Sequence, residues 1–144
     1  MTYVSKEKVL AYILRQFGEN REILVFRHTD FPEAGLQVPA GTVEVGEEKH
    51  VAMLREVKEE SGLSTFDKVQ FLGSTRFVAE AKQEIHHRHY YQLDFSLESP
   101  ARFEHRVSGK GIDAQMLFAY EWQKLDQLPP LAVVQDEMIS KIKR

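Results

Sequence analysis

Val9, Ala11 and Ile13 alternate with Leu10, Tyr12 and Leu14, and all six are apolar or aromatic. This pattern predicts a strand covered on both faces, as inside a layered sheet. Gly18-Glu19-Asn20 reads as a turn, with Glu22–His28 following as a hairpin partner. Phe31–Gly35 reads as a loop, and Gln37-Val38-Pro39 as a short extended piece leading into Gly41. A helix is expected from about Glu47 to Ser61, with Val51, Leu54 and Val57 on its core side and Gly62 as its left-handed stop. Lys68–Ala79 and Ile85–Leu97 alternate like paired strands. Arg102–Val107 and Met116–Trp122 are further strand candidates on either side of a Ser108–Gly111 loop. After Leu128-Pro129-Pro130 breaks the chain, Val133–Ile142 is expected to close it as an amphipathic helix. Strands on both sides of one internal helix, with a second helix at the end, predict an α/β protein. Its architecture would be an α/β/α sandwich around a mixed β-sheet, one domain over residues 1–144.

At 144 residues, 42% hydrophobic and 28% charged, the chain has the composition of an ordered domain able to bury a core. No apolar run approaches the ~18 residues of a membrane span, so no membrane partner is expected. The start, MTYVSKEKVLAYILRQ, lacks the layout of a signal peptide, and there is no cysteine. Both point to a cytoplasmic protein. The net charge of −3 has an address. Residues 41–60 hold Glu44, Glu47, Glu48, Glu56, Glu59 and Glu60 against Lys49, Arg55 and Lys58, while acids and bases balance elsewhere. No basic stripe suggests a nucleic-acid partner.

At about 100° per residue, Glu60 lies about 40° from Glu56, and Glu59 about 60° to its other side. Glu59 and Glu60 occupy the last turn, where the helix dipole disfavours anions by roughly 0.3–1 kcal/mol each. Glu56 and Glu60 are also a like-charge pair four residues apart. Stability alone would not select this arrangement. A hard divalent cation, bound through oxygen, would reward it.

Gly41, five residues, Glu47, seven residues, then Arg55-Glu56-Val57-Lys58-Glu59-Glu60-Ser61-Gly62-Leu63 fills every fixed position of a known signature. Residues 41–63 resemble the Nudix box, and the chain is identified as a member of the Nudix hydrolase family. The resemblance implies the α/β/α fold with a mixed sheet and a Mg2+ (or Mn2+) cofactor. The implied reaction is hydrolysis of the diphosphate in a nucleoside diphosphate linked to another moiety. It implies Glu56, Glu59 and Glu60 as metal ligands, joined by the backbone carbonyl of Ala40. Arg55 would orient the carboxylates, Glu47 would hold the loop to the helix, and Val57 and Leu63 would be core. The general base is left among Glu56, Glu59 and a later acid: Asp113, Glu104, Glu98 or Glu121. The alternative implied by the fold is a catalytically silent module that binds a nucleotide.

Outside the box, His86-His87-Arg88-His89 stands out. On a strand His87 and His89 share a face; they read as a zinc pair lacking a third ligand, as polar strand residues, or as phosphate contacts. Arg27, His28, Arg76, His87 and Asp113 are the candidates for substrate binding. Tyr90, Tyr91, Phe77, Phe103 and Trp122 read as core or as stacking partners for a base. Sub-family markers are missing. The proline of ADP-ribose pyrophosphatases would fall at Val78, and the tyrosine of the dinucleoside-polyphosphate group at Ala79, Glu80 or Ala81. The partner is expected to be a small nucleotide-type substrate, with a homodimer possible through the apolar first strand.

Overall fold

The computed structural model describes residues 2–111 and 113–144. Strand β1 is Val4–Phe17, β2 Asn20–His28, β3 Ala40–Thr42, β4 Lys68–Ala79, β5 Glu84–Asp94, β6 Arg102–Arg106 and β7 Leu117–Lys124. Helix α1 is Lys49–Ser61. The strands form one sheet in the order β4-β5-β1-β2-β7-β6, with β3 added to β1. β1 and β5 run parallel and the other pairs antiparallel, so the sheet is mixed, as expected.

The doubly apolar β1 lies between β5 and β2, and each of its faces meets a different layer. Val9, Ala11 and Ile13 pack with Ala52, Met53 and Val57 of α1. Leu10, Tyr12 and Leu14 pack beneath Leu131 and Met138 of the C-terminal segment. Each fully buried Val, Leu, Ile or Met side chain among them contributes roughly 1.5–3 kcal/mol. β5 runs along one edge of β1 over Val4–Leu14, while β3 and β2 take the other edge over Lys8–Leu10 and Leu14–Phe17.

The expected closing helix over 133–142 is absent. Two 3-10 turns, Ala132–Val134 and Ile139–Lys141, take its place. Val133 and Val134 have φ of 45° and 57°, incompatible with an α-helix. Tertiary bonds replace the helical ladder. Tyr12 Oη donates to the Gln135 carbonyl at 2.6 Å and accepts from Met138 N at 3.2 Å. Gln135 Oε1 accepts from Val38 N at 2.8 Å.

Helix α1 ends as expected, on Gly62 with φ 79° and its N–H donating to the Lys58 carbonyl at 2.9 Å. It starts at Lys49, later than expected, which leaves Glu47 in the preceding loop. Its buried side is Ala52, Met53, Val57, Glu60 and Ser61, while Val51 is exposed. Val51 and Glu60 are nine residues apart, about 180° around a helix. Turning Glu60 inward therefore turns Val51 out. No helix among the described residues is long and apolar enough to cross a membrane.

Candidate active site

Three pieces of chain converge on α1: β3, the loop carrying Glu47, and the loop after β6. Arg55 binds them together. Its Nε and Nη2 donate to the two oxygens of Glu47 at 2.8 and 2.9 Å, and Nη2 also reaches the Thr42 carbonyl at 3.1 Å. Its Nη1 donates to Glu56 at 2.9 Å and to Glu59 at 3.4 Å. Glu47 completes the clasp by accepting from Glu44 N at 3.1 Å. The guanidinium fork holds the Glu47 carboxyl below the usual carboxylate range.

The three box carboxylates differ in setting. Glu60 is buried, with Oε1 accepting from Ala40 N at 3.1 Å. Burial pushes its pKa well above the usual carboxylate range, and the nearby Glu56 adds to that push, as does Asp113. Burial also raises Glu56, against the opposing pull of Arg55. Glu56 lies so close over β3 that a Cβ on Gly41 would sit 2.0 Å from its carboxyl carbon. Glu59 rests against Gly109, and its backbone carbonyl accepts from Ser108 N at 3.0 Å and from His105 Nε2 at 3.1 Å. Ala40 is a non-hydrogen-bonded partner of Leu10, since the flanking ladder bonds are Ala11 N to Pro39 O and Val43 N to Glu7 O. Its own N–H and C=O therefore point away from β1.

These groups line a cleft of about 1230 Å³. Of the candidate later acids, Asp113 lines it, whereas Glu104 is exposed on β6 and Glu121 pairs with Arg102 at 3.6 Å. Glu98 lines a separate shallow depression with Arg15 and Phe17.

Of the five candidates for substrate binding, only Asp113 lines the cleft. Arg76 and His87 are paired across β4 and β5, and strand alternation turns both from the face that carries Phe77, His86 and Arg88 into it. Arg27 is exposed on β2. His28 packs edge-on against Phe118 with ring centres 4.5 Å apart, its Nδ1 buried without a partner among the described residues. His89 is bonded to Glu7 and Ser74, at 2.8 and 2.7 Å. From the histidine run the cleft takes His86 and Arg88, and it gains Lys8 and Gln135, which the sequence pattern did not single out as binding residues.

A sheet with this order, one helix laid across it and an arginine-clasped carboxylate cluster at the helix end define a known class of protein. The NUDIX domain family model matches residues 6–142, and the chain belongs to that family, the Nudix hydrolases. Among solved structures it is similar to a MutT NUDIX hydrolase from Burkholderia pseudomallei, at 23% identity and TM-score 0.71 over 96% of this chain and 98% of that one. It is also similar to the NUDIX domain of Shewanella oneidensis NrtR complexed with ADP ribose, at 14% identity and TM-score 0.70 over 98% and 86%. A C. elegans Ap4A hydrolase follows at 17% identity and TM-score 0.64 over 94% and 93%. At such identities the likeness carries the fold alone. A comparison with curated proteins finds no match.

Proposed function

We propose that the protein is a divalent-metal-dependent hydrolase that cleaves the diphosphate linkage of a nucleoside diphosphate joined to another moiety, by attack of water on phosphorus. The observation that carries this is the gathering of Glu56, Glu59, Glu60 and Asp113 on one cleft, with Glu60 buried and bonded to the Ala40 N–H. An all-oxygen donor set of this kind fits Mg2+ or Mn2+. Glu56, Glu59 and Glu60 would hold the metal, with the Ala40 carbonyl available on the outward edge of β3. Among the described residues no three His, Cys, Asp or Glu side chains are already drawn into a coordination cluster, and Arg55 holds Glu56 and Glu59. When bound, the cation supplies neutralisation of diphosphate charge and acidification of water.

The remaining work falls to the chain. Glu47 fixes Arg55, and Arg55 fixes the carboxylates of Glu56 and Glu59. Glu60, bonded to β3, ties the helix to the strand that forms the cleft floor. Of the candidate bases, Glu56, Glu59 and Asp113 line the cleft, where each can accept the proton of the attacking water.

Incubation with nucleoside triphosphates, nucleotide sugars, ADP-ribose, dinucleoside polyphosphates and capped RNA, with and without Mg2+, tests the assignment. Metal-dependent release of phosphate or nucleotide that disappears in Glu56→Gln is the expected result. Tight nucleotide binding without turnover would instead assign a silent binding module, a reading favoured only by the similarity to the ADP-ribose-bound NrtR domain.

A further inference from the structure

Away from the carboxylates the cleft is lined by Lys8, Lys82 and Arg88, with Glu80 and Phe77 among them. Lys8 on β1 is in register with Arg88 on β5 and, on its other side, with Thr42 on β3. Adjacent strands lie about 4.8 Å apart, so Lys8 and Arg88 place two like charges side by side, an arrangement that is destabilising by itself. Two residues along the same face, Lys6 and His86 are also in register, but they share Glu84 at 2.7 and 2.8 Å. The Lys8–Arg88 rung is less well answered. Glu137 bonds Arg88 at 3.0 Å, while Lys8 Nζ donates at 2.6 Å to the neutral hydroxyl of Thr42. Burial, and then the charges of Lys6 and Lys82, hold the Lys8 pKa below its ordinary value.

Arg88 is 4% exposed and its guanidinium lies 3.9 Å from the centre of the Phe77 ring. Its bonds to Glu137 and Tyr90 Oη both leave from Nη1. Nε and Nη2 have no acceptor among the described residues, and neither is sealed from solvent. Gln135 is 5% exposed and also lines the cleft. Its Oε1 is committed to Val38 N, which fixes the amide and leaves Nε2 as an unused donor among the described residues. These fixed groups only donate, and two of the side chains are nearly buried. Their complement is an oxyanion.

We propose that Lys8, Arg88 and Gln135 form a second anion subsite of the cleft, which holds a phosphate of the substrate other than the two joined by the hydrolysed linkage. The word substrate rests on the hydrolase assignment; the anion binding does not. The substrate class is then a nucleotide with a longer phosphate chain, or one with a phosphomonoester away from its diphosphate, ahead of nucleotide sugars whose far end is neutral.

Calorimetric titration with inorganic tripolyphosphate in EDTA tests binding without turnover. Wild type is expected to bind it, and Lys8→Met to raise Kd at least about tenfold, the size of one lost charged hydrogen bond. Gln135→Glu keeps an oxygen for Val38 N and puts a second oxygen in place of the donor, and is expected to weaken binding as much. Unchanged binding in both variants, or none by the wild type, overturns the subsite even if hydrolysis is observed. Absence of hydrolysis leaves this titration unaffected, so the two assignments fail separately. With Mg2+, kcat/KM is compared for ATP against ADP and for ADP-ribose against its 2′-phosphorylated analogue. The pair whose discrimination collapses in Lys8→Met identifies the source of the phosphate, and equal losses on all four overturn the subsite.

Discussion

Arg55 grips Glu47 with two parallel bonds, Nε to Oε2 at 2.8 Å and Nη2 to Oε1 at 2.9 Å, across the turn that opens α1. Planar fork against planar carboxylate fixes the arginine in position and direction, so its third nitrogen can hold Glu56 and Glu59.

Arg55→Lys keeps the charge and loses the fork. Hydrogen bonds to charged groups are each worth about 1.5–3 kcal/mol, so kcat/KM is expected to fall roughly 10- to 100-fold. Far-UV circular dichroism should match the wild type, because Val57, Met53 and Ala52 still anchor the helix. Activity within twofold of wild type would show that the fork does not position the carboxylates.

Gly41 is needed for space. A Cβ there would lie 2.0 Å from the Glu56 carboxyl carbon and 2.3 Å from one of its oxygens. The obstructing atoms are the end of a flexible side chain, so Gly41→Ala is expected to fold while swinging the carboxylate aside. Its loss of metal-dependent turnover should approach that of Glu56→Gln, with a Tm change of no more than roughly 2–4 °C. Steady-state kinetics beside a thermal melt separates this from general destabilisation.

The strands and the box helix are legible in the sequence because their signals are local. β1 shows its two buried faces as an unbroken apolar run, and α1 announces its end with Gly62. The inward turn of Glu60 is less legible, since a carboxylate on a helix ordinarily faces water and only the burial of Met53 and Val57 around it reveals otherwise. The Lys8–Arg88 rung is hidden for another reason. Parallel pairing joins residues eighty positions apart, and nothing near Lys8 in the chain marks the register. Arg76 and His87 illustrate the same limit: their residue types suit phosphate, but strand alternation decides which face they occupy.

The C-terminal segment shows tertiary contacts overriding a helical pattern. Val134 is 54% exposed with φ 57°, a conformation that costs a β-branched residue about 1–2 kcal/mol. Asparagine tolerates that region, so Val134→Asn is expected to stabilise the protein by roughly 0.5–1 kcal/mol in urea unfolding, with an unchanged m-value. A loss of stability would mean that the valine side chain contributes more than its backbone costs.

Glu60 makes the sharpest prediction, because its buried carboxylate faces Glu56 and Asp113 with one backbone N–H to answer them. Its folded pKa stands above the unfolded value, so the folded state binds the proton more tightly. The stability this contributes is fully present below about pH 4.5 and is lost as pH rises through the raised folded value. Glu47 and Glu84 act in the opposite sense, Glu84 being held down to about 2 by His86 and Lys6, so the raw melting profile mixes both trends. The difference between wild type and Glu60→Gln isolates one group. In EDTA the variant is expected to melt roughly 2–4 °C higher than wild type at neutral pH, and the gap should shrink as pH falls towards 4.5. Adding Mg2+ should raise the Tm of the wild type more than that of the variant, reversing or closing the gap, because a bound cation answers the charge that the glutamine lacks. A wild type as stable as Glu60→Gln at every pH, and indifferent to Mg2+, would mean that the buried carboxylate is not awaiting a cation.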